Sequence, residues 1–224
     1  MKILALLGSP HGRTGSTGQL LDFVLEGAGQ GGALSEVVQL TGTNVLPCMA
    51  CDTCHKTGTC AQNDDFAAIR SKILEANVLV LASPNYIFNV SAQMKAFMDR
   101  CCGVIHCMAF RGKYGASVVT AGGGGEEGVA EILNRFLLST GVIPVGSVWA
   151  TTGALRGGPL PEEIRAAARE LGRTLVEAVG KRAGYPEAEE WLGEWAGRMK
   201  GLVESRKDEW LYEYEAWRRV EEKF

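Results

Sequence analysis

Positive charge is nowhere concentrated in this chain: 23 lysines and arginines are interspersed with 26 aspartates and glutamates, for a formal net charge of −3. Without a basic run there is no electrostatic footprint for a nucleic acid or an anionic membrane, and both are excluded as primary partners. Long apolar runs are missing too. The stretch from Met1 to Leu7 is stopped by Gly8, Ser9 and Pro10, too short for a signal-peptide core or a span of about 20 residues. The expected location is therefore the cytoplasm. Neither Gly-x-Gly-x-x-Gly nor Gly-x4-Gly-Lys-Ser/Thr occurs, which argues against a dinucleotide pyrophosphate site and against a nucleoside triphosphatase. Repeats and low-complexity stretches are absent, and 224 residues with 46% hydrophobic content suffice for one well-buried domain with an appendage.

Cysteine, by contrast, is plentiful. Seven of them in a chain without an export signal favour metal or redox chemistry over a disulfide framework. Cys48, Cys51, Cys54 and Cys60 are spaced Cys-x2-Cys-x2-Cys-x5-Cys. Two residues between neighbours let successive thiolates turn toward one centre, and Gly58 is a joint that brings Cys60 back to a fourth position. One [4Fe-4S] cluster is the natural occupant; tetrahedral zinc, which more often uses two separated pairs, and plain structural thiols are the alternatives. Cys101, Cys102 and Cys107 read as reduced core thiols, and His55 as facing solvent. His106 and Cys107 are too few donors for a metal site.

Hydrophobic patterning predicts strands over 2–7, 35–40, 78–82, 114–120 and 142–150. These alternate with helices over 17–28, about 65–76, about 91–102, 126–140 and 161–179, the last with Pro161 in its first turn. Strands apolar on both faces that alternate with helices imply an α/β fold with a doubly wound, five-stranded parallel sheet and ligands at the carboxyl ends of its strands. Residues 1–184 make up this domain. Residues 185–224 form a helical, aromatic-rich extension, in which Leu192, Trp195, Met199 and Leu202 fall on one stripe that packs on the chain itself or on a second subunit. Asp99 and Arg100 read as a structural pair or cap.

Three strand exits carry chemistry. The first, Gly8 to Thr17, offers Ser9, Ser16 and Thr17 hydroxyls and amides at a helix start, a setting for a monophosphate, with His11 nearby. The second, Ser83-Pro84-Asn85-Tyr86-Ile87-Phe88-Asn89, joins a rigid proline to aromatic and amide side chains that can edge or stack on a planar ring. The third, Gly122, Gly123 and Gly124, lets backbone approach a ring edge.

Together these segments resemble the flavodoxin-like NADPH-dependent FMN reductases, and within them the iron-sulfur flavoproteins. Gly8-Ser9-Pro10 through Gly15-Ser16-Thr17 is similar to their phosphate loop, and Ser83-Pro84-Asn85-Tyr86 with Ser91 to Arg100 to their isoalloxazine loop and following helix. Cys48 to Cys60, followed by Asp64-Asp65, resembles the cluster motif of the iron-sulfur branch. Tyr212 to Trp217 resembles a C-terminal segment of some relatives. Ser16 stands where many relatives have Asn, and Ile87-Phe88 replaces a frequent Tyr-Trp pair. The resemblance implies noncovalent FMN, with Ser9, His11, Ser16 and Thr17 at its phosphate, Pro84, Asn85, Tyr86, Ile87, Phe88 and Asn89 around the ring, and Gly122, Gly123 and Gly124 near its pyrimidine side. The expected activity is that of an oxidoreductase passing electrons through FMN and a [4Fe-4S] cluster at Cys48, Cys51, Cys54 and Cys60. No catalytic side chain is required, since flavin N5 carries the chemistry. NAD(P)H, a small molecule or a ferredoxin-like protein is the expected redox partner, and a homodimer or homotetramer the expected assembly. The alternatives are a cluster-free NAD(P)H-dependent FMN or quinone reductase, and a nonenzymatic flavodoxin-type carrier or zinc-stabilised interaction protein.

Overall fold

A computed structural model describes residues 1–155 and 157–221. Its strands are β1 (Lys2–Leu7), β2 (Leu34–Gln39), β3 (Val78–Pro84), β4 (Lys113–Ala121) and β5 (Val142–Thr151). They form one five-stranded sheet in the order β2-β1-β3-β4-β5, parallel throughout. This is the flavodoxin-like arrangement, with a topological switch point between β1 and β3. The registers level the carboxyl ends: Leu7 pairs with Gln39 and Ala82, Pro84 with Thr120, and Thr120 with Ala150.

Alternation along each strand assigns its side chains to two cores. Ile3, Ala5, Val80 and Val118 pack with Leu20, Leu21 and Val24 of α1 (Ser16–Gln30) and with Leu171 and Leu175 of α7 (Glu162–Lys181). Leu4, Leu6, Leu79 and Leu81 face α3 (Phe66–Glu75), α4 (Ala92–Asp99) and α6 (Glu126–Thr140) through Ile69, Ile73, Phe97, Leu133 and Leu137. Glycines bring α1 and α7 to backbone distance: a Cβ on Gly27 would lie 2.0 Å from the Arg169 carbonyl oxygen, and one on Gly172 2.0 Å from that of Val24.

The helix expected over 91–102 is broken. α4 starts at Ser91, whose hydroxyl accepts from the Met94 amide, and ends at Asp99, and a separate short helix, α5 (Cys102–His106), follows. Asp99 and Arg100 do not pair with one another. Asp99 takes Lys95 one turn earlier, whereas Arg100 crosses to Asp64 at 2.6 Å. A further short helix, α2 (Thr53–Thr57), lies inside the cysteine loop.

The C-terminal segment forms α8 (Pro186–Ser205) and α9 (Leu211–Glu221); residues 222–224 of the expected extension lie outside the described residues. Met199, Val203, Trp210 and Trp217 build a third small core with Met108. The expected stripe is thus shifted by one position at its end, Val203 being buried and Leu202 exposed. Trp195 Nε1 donates to Ser139 O and Trp217 Nε1 to His106 O, at 3.2 and 3.0 Å.

Because the α1–α7 contact is backbone on backbone, it has no flexible side chain to give way. Gly172→Ala is expected to lower stability by about 1–3 kcal/mol, the range for overpacking, read as a lower urea midpoint with unchanged m-value.

Candidate functional site

At the carboxyl edge of the sheet the loops enclose a cleft of about 220 Å³ lined by Ser9, His11, Ser16, Thr17, Pro84, Asn85, Tyr86, Thr120, Ala121, Gly122 and Thr152. The sequence pointed to most of these; Thr120 and Thr152 it did not single out. Thr120 ends a strand and ties it to the helix start, its hydroxyl lying 2.7 Å from that of Thr17. Ser9 Oγ accepts from the His11 amide at 3.3 Å. Helix α1 begins after Gly15 with no side-chain cap, so its first amides are open to an anion.

The wall after β3 offers a different kind of group. Asn85 Nδ2 donates to Gly124 O at 2.8 Å, while Asn85 Oδ1 is buried without a hydrogen-bond partner. Opposite, a Cβ added to Gly122 or Gly123 would meet nothing within 4 Å. An uncapped helix start ringed by hydroxyls, an unpartnered acceptor and a bare glycine edge suit one phosphate and one planar ring with a hydrogen-bonding rim, and FMN has both. Of the expected residues, Ile87, Phe88, Asn89, Gly123 and Gly124 are outside this lining. Tyr86 and Asn89 exchange backbone hydrogen bonds of 2.8 and 3.1 Å, closing a tight turn in which Ile87 and Phe88 adopt φ of 52° and 58° and stand 93% and 79% exposed. That left-handed turn is one glycine and asparagine normally occupy.

The cysteine loop leaves β2 and bends repeatedly, with left-handed φ at Ala50, Asp52 and Gly58. Cys48 and Cys51 are exposed, Cys54 and Cys60 half-buried. Cys54, Cys60 and Cys107 line a small cavity of about 40 Å³ with Gly58, Gly103, Arg70, Arg100 and Tyr212; Cys48 and Cys51 are not part of this lining. Burial, with the nearby Cys102 sulfur, pushes the Cys54 thiol up to about 11. The Nε atoms of Arg70 and Arg100 are both buried without acceptors. Thiol donors beside unpartnered cationic N–H groups suit an anionic, thiolate-bound iron-sulfur centre, whose sulfurs accept such bonds. Arg100 itself is fixed by Asp64 and by Leu46 O at 2.8 Å. Burial raises the Asp64 pKa, and hydrogen bonds from Arg100 and from the Leu46 and Phe66 amides more than reverse it.

His55 does not face solvent. It is buried, because α9 closes over α2: His55 Nδ1 donates to Glu213 Oε1 at 2.6 Å, and His106 Nδ1 to Glu213 Oε2 at 3.0 Å. The Trp210 indole lies against both imidazoles, at centroid distances of 4.6 and 5.0 Å. Burial, the largest single effect on His106, lowers its pKa, but the contacts to Cys102 and Glu213 together outweigh it and raise it to about 9. The signal for this cluster is that Glu213 falls on the stripe set by Trp210 and Trp217, a charged residue on an apolar helix face.

Both members of the Asp64–Arg100 pair have fully buried side chains, so removing one strands the other. Asp64→Ala is expected to cost about 3–5 kcal/mol, seen as a fall in Tm, with the loop over 44–48 losing amide protection first because its Leu46 anchor goes with it.

A profile of the NADPH-dependent FMN reductase family matches residues 1–155. An iron-sulfur flavoprotein of Archaeoglobus fulgidus is 33% identical over 219 residues, covering 97% of this chain and 98% of the relative. A second iron-sulfur flavoprotein, from Methanocaldococcus jannaschii, is 31% identical over 189 residues, covering 80% and 97%. Among solved structures a flavone reductase superposes with a TM-score of 0.65 at 19% identity, over 83% of this chain and 66% of its own, a likeness of fold. The profile match, the near full-length relative and the sheet order lead to one conclusion: the chain belongs to the NADPH-dependent FMN reductase family of flavin-dependent oxidoreductases, in its iron-sulfur flavoprotein branch.

Proposed function

We propose that the chain holds one FMN in the cleft at the sheet edge and one [4Fe-4S] cluster at Cys48, Cys51, Cys54 and Cys60, and passes electrons between NAD(P)H or a small-molecule or ferredoxin-like partner and these centres. The observation that carries the reading is the cleft, where phosphate-type and ring-type groups from separate strand exits line one space. When bound, FMN supplies one- and two-electron transfer and the cluster single-electron transfer. The chain's own part is to hold and orient. Ser9, His11, Ser16 and Thr17 take the phosphate at the start of α1, and the hydroxyl contact of Thr17 with Thr120 keeps that helix in register with the β4 exit. Pro84, Asn85 and Tyr86 frame the ring, Asn85 Oδ1 accepts from its rim, and Gly122 lets the backbone come close. Arg70 and Arg100 aim donors at the thiolate side of the second centre. No side chain is asked to act as acid or base.

Residues 1–184 are the flavin-binding domain in this reading and 185–224 the extension, whose helix α9 closes over the cysteine loop. No helix among the described residues is long and apolar enough to cross a membrane, and we place the protein in the cytoplasm. The exposed Ile87 and Phe88 support a homodimer or homotetramer that covers them. The exposure of Cys48 and Cys51 favours a second reading, a cluster-free NAD(P)H-dependent FMN or quinone reductase.

One measurement tests the flavin site and a second separates the two readings. Thr17→Glu sets a carboxylate against the phosphate; unit charges about 4 Å apart repel by about 4 kcal/mol at an effective dielectric near 20, so FMN affinity by fluorescence titration is expected to fall a hundredfold or more. Unchanged affinity would place the phosphate elsewhere. Single Ser substitutions at Cys48, Cys51, Cys54 and Cys60 are expected to strip iron and sulfide while leaving FMN bound, and Cys101→Ser to spare both. Wild-type protein that carries FMN but takes up neither iron nor sulfide under anaerobic reconstitution establishes the cluster-free reading.

A further inference from the structure

Beside the cysteine cavity the fold gathers a second set of metal-type donors, none of them among the four loop cysteines. His55 comes from α2, Cys102 and His106 from α5, and one ligand atom from each lies within 4.8 Å of the others. His106 Nε2 and Cys102 Sγ are 3.7 Å apart. A tetrahedral zinc ion with Zn–N of about 2.1 Å and Zn–S of about 2.3 Å spaces such a pair roughly 3.6 Å apart.

The imidazoles are oriented as well. Glu213 is fully buried, and its two oxygens accept from Nδ1 of His55 and Nδ1 of His106. Metal-binding histidines characteristically donate one ring N–H to a carboxylate, which fixes the ring and leaves the other nitrogen as the ligand. Here that leaves Nε2 on both rings. His55 Nε2 has the Asp52 carboxylate 3.7 Å away, and because Asp52 is more than half exposed it is free to close the solvent side as a fourth ligand. Charge balances around the inner groups: a divalent ion offsets one thiolate and the Glu213 carboxylate. Trp210 covers the imidazoles and keeps the pair dry.

We infer that His55, Cys102 and His106, oriented by Glu213 and completed by Asp52, form a mononuclear transition-metal site of the zinc class that uses none of the loop's four cysteines, although His55 and Asp52 belong to that loop. Binding takes the ion with neutral imidazoles and a thiolate, so the Cys102 thiol proton and the proton on His106 leave to solvent and no electrons move. Cys102 thereby leaves the class of inert core thiols, and Glu213 acts as a positioning residue.

The test uses the FMN-loaded protein, stripped of loosely held metal with a mild chelator and titrated with Co(II) and with zinc. One equivalent of Co(II) per chain is expected, with a thiolate-to-cobalt charge-transfer band. Cys102→Ser should abolish the band and Glu213→Gln should weaken Co(II) binding about 10- to 100-fold, whereas Cys48→Ser should retain both band and affinity. Loss with Cys48→Ser and retention with Cys102→Ser would put the ion in the loop and overturn the assignment, as would no uptake by the wild type, which would leave a network held by protons alone. X-ray absorption of the zinc-loaded wild type needs no variant: two imidazoles with one sulfur support the site, four sulfurs refute it. Iron and sulfide content, measured alongside, reports on the cluster reading independently.

Discussion

The level register of the parallel strands is the constraint on which the rest of the molecule depends. Parallel pairing forces every connection to cross a face of the sheet, so the exits of β1, β3, β4 and β5 collect at one edge and nowhere else. Groups far apart in sequence then become neighbours without any attraction between them. Thr17 and Thr120 illustrate it: their hydroxyls meet because a helix start and a strand end are delivered to the same spot. The cleft is a by-product of topology, and side-chain chemistry decides only what fits it.

A second layer is built differently. The cysteine loop has little regular structure of its own, and its position rests on long-range polar anchors: Arg100 with Asp64 and Leu46 O beneath it, and Glu213 with two imidazoles above it. Such anchors are costly when incomplete, because a buried charge without its partner has no water to turn to. The same property makes them specific, since only one docking of α9 satisfies both oxygens of Glu213.

The legible parts of the sequence were those where local pattern and final environment agree. Val78 to Ala82, apolar at every position, reads as a strand buried on both faces and is one; Glu126 to Thr140 reads as a helix between glycines and has those bounds. Legibility ended where a partner from far away decides. The pattern from Ser91 runs on through Cys102 as though helical, and the turn at Arg100 follows the guanidinium that reaches Asp64. His55 sits between Cys54 and Lys56 in a polar loop and looks solvated; its burial depends on a residue 158 positions later. Thr120 and Thr152 carry no sequence signal, because a threonine at a strand end is ordinary, and only the closing of the sheet edge turns these two toward the cleft.

That separation of 158 positions between His55 and Glu213 also sets a timetable. Chains emerge at about 5–20 residues per second, so the cysteine loop stands open for roughly ten to thirty seconds before α9 exists to close over it. Whatever enters the loop can do so during synthesis, from the ribosome exit onward. After α9 has docked, His55 is buried and Cys54 and Cys60 are half-buried, so the loading of these inner groups and the docking of that helix compete in time.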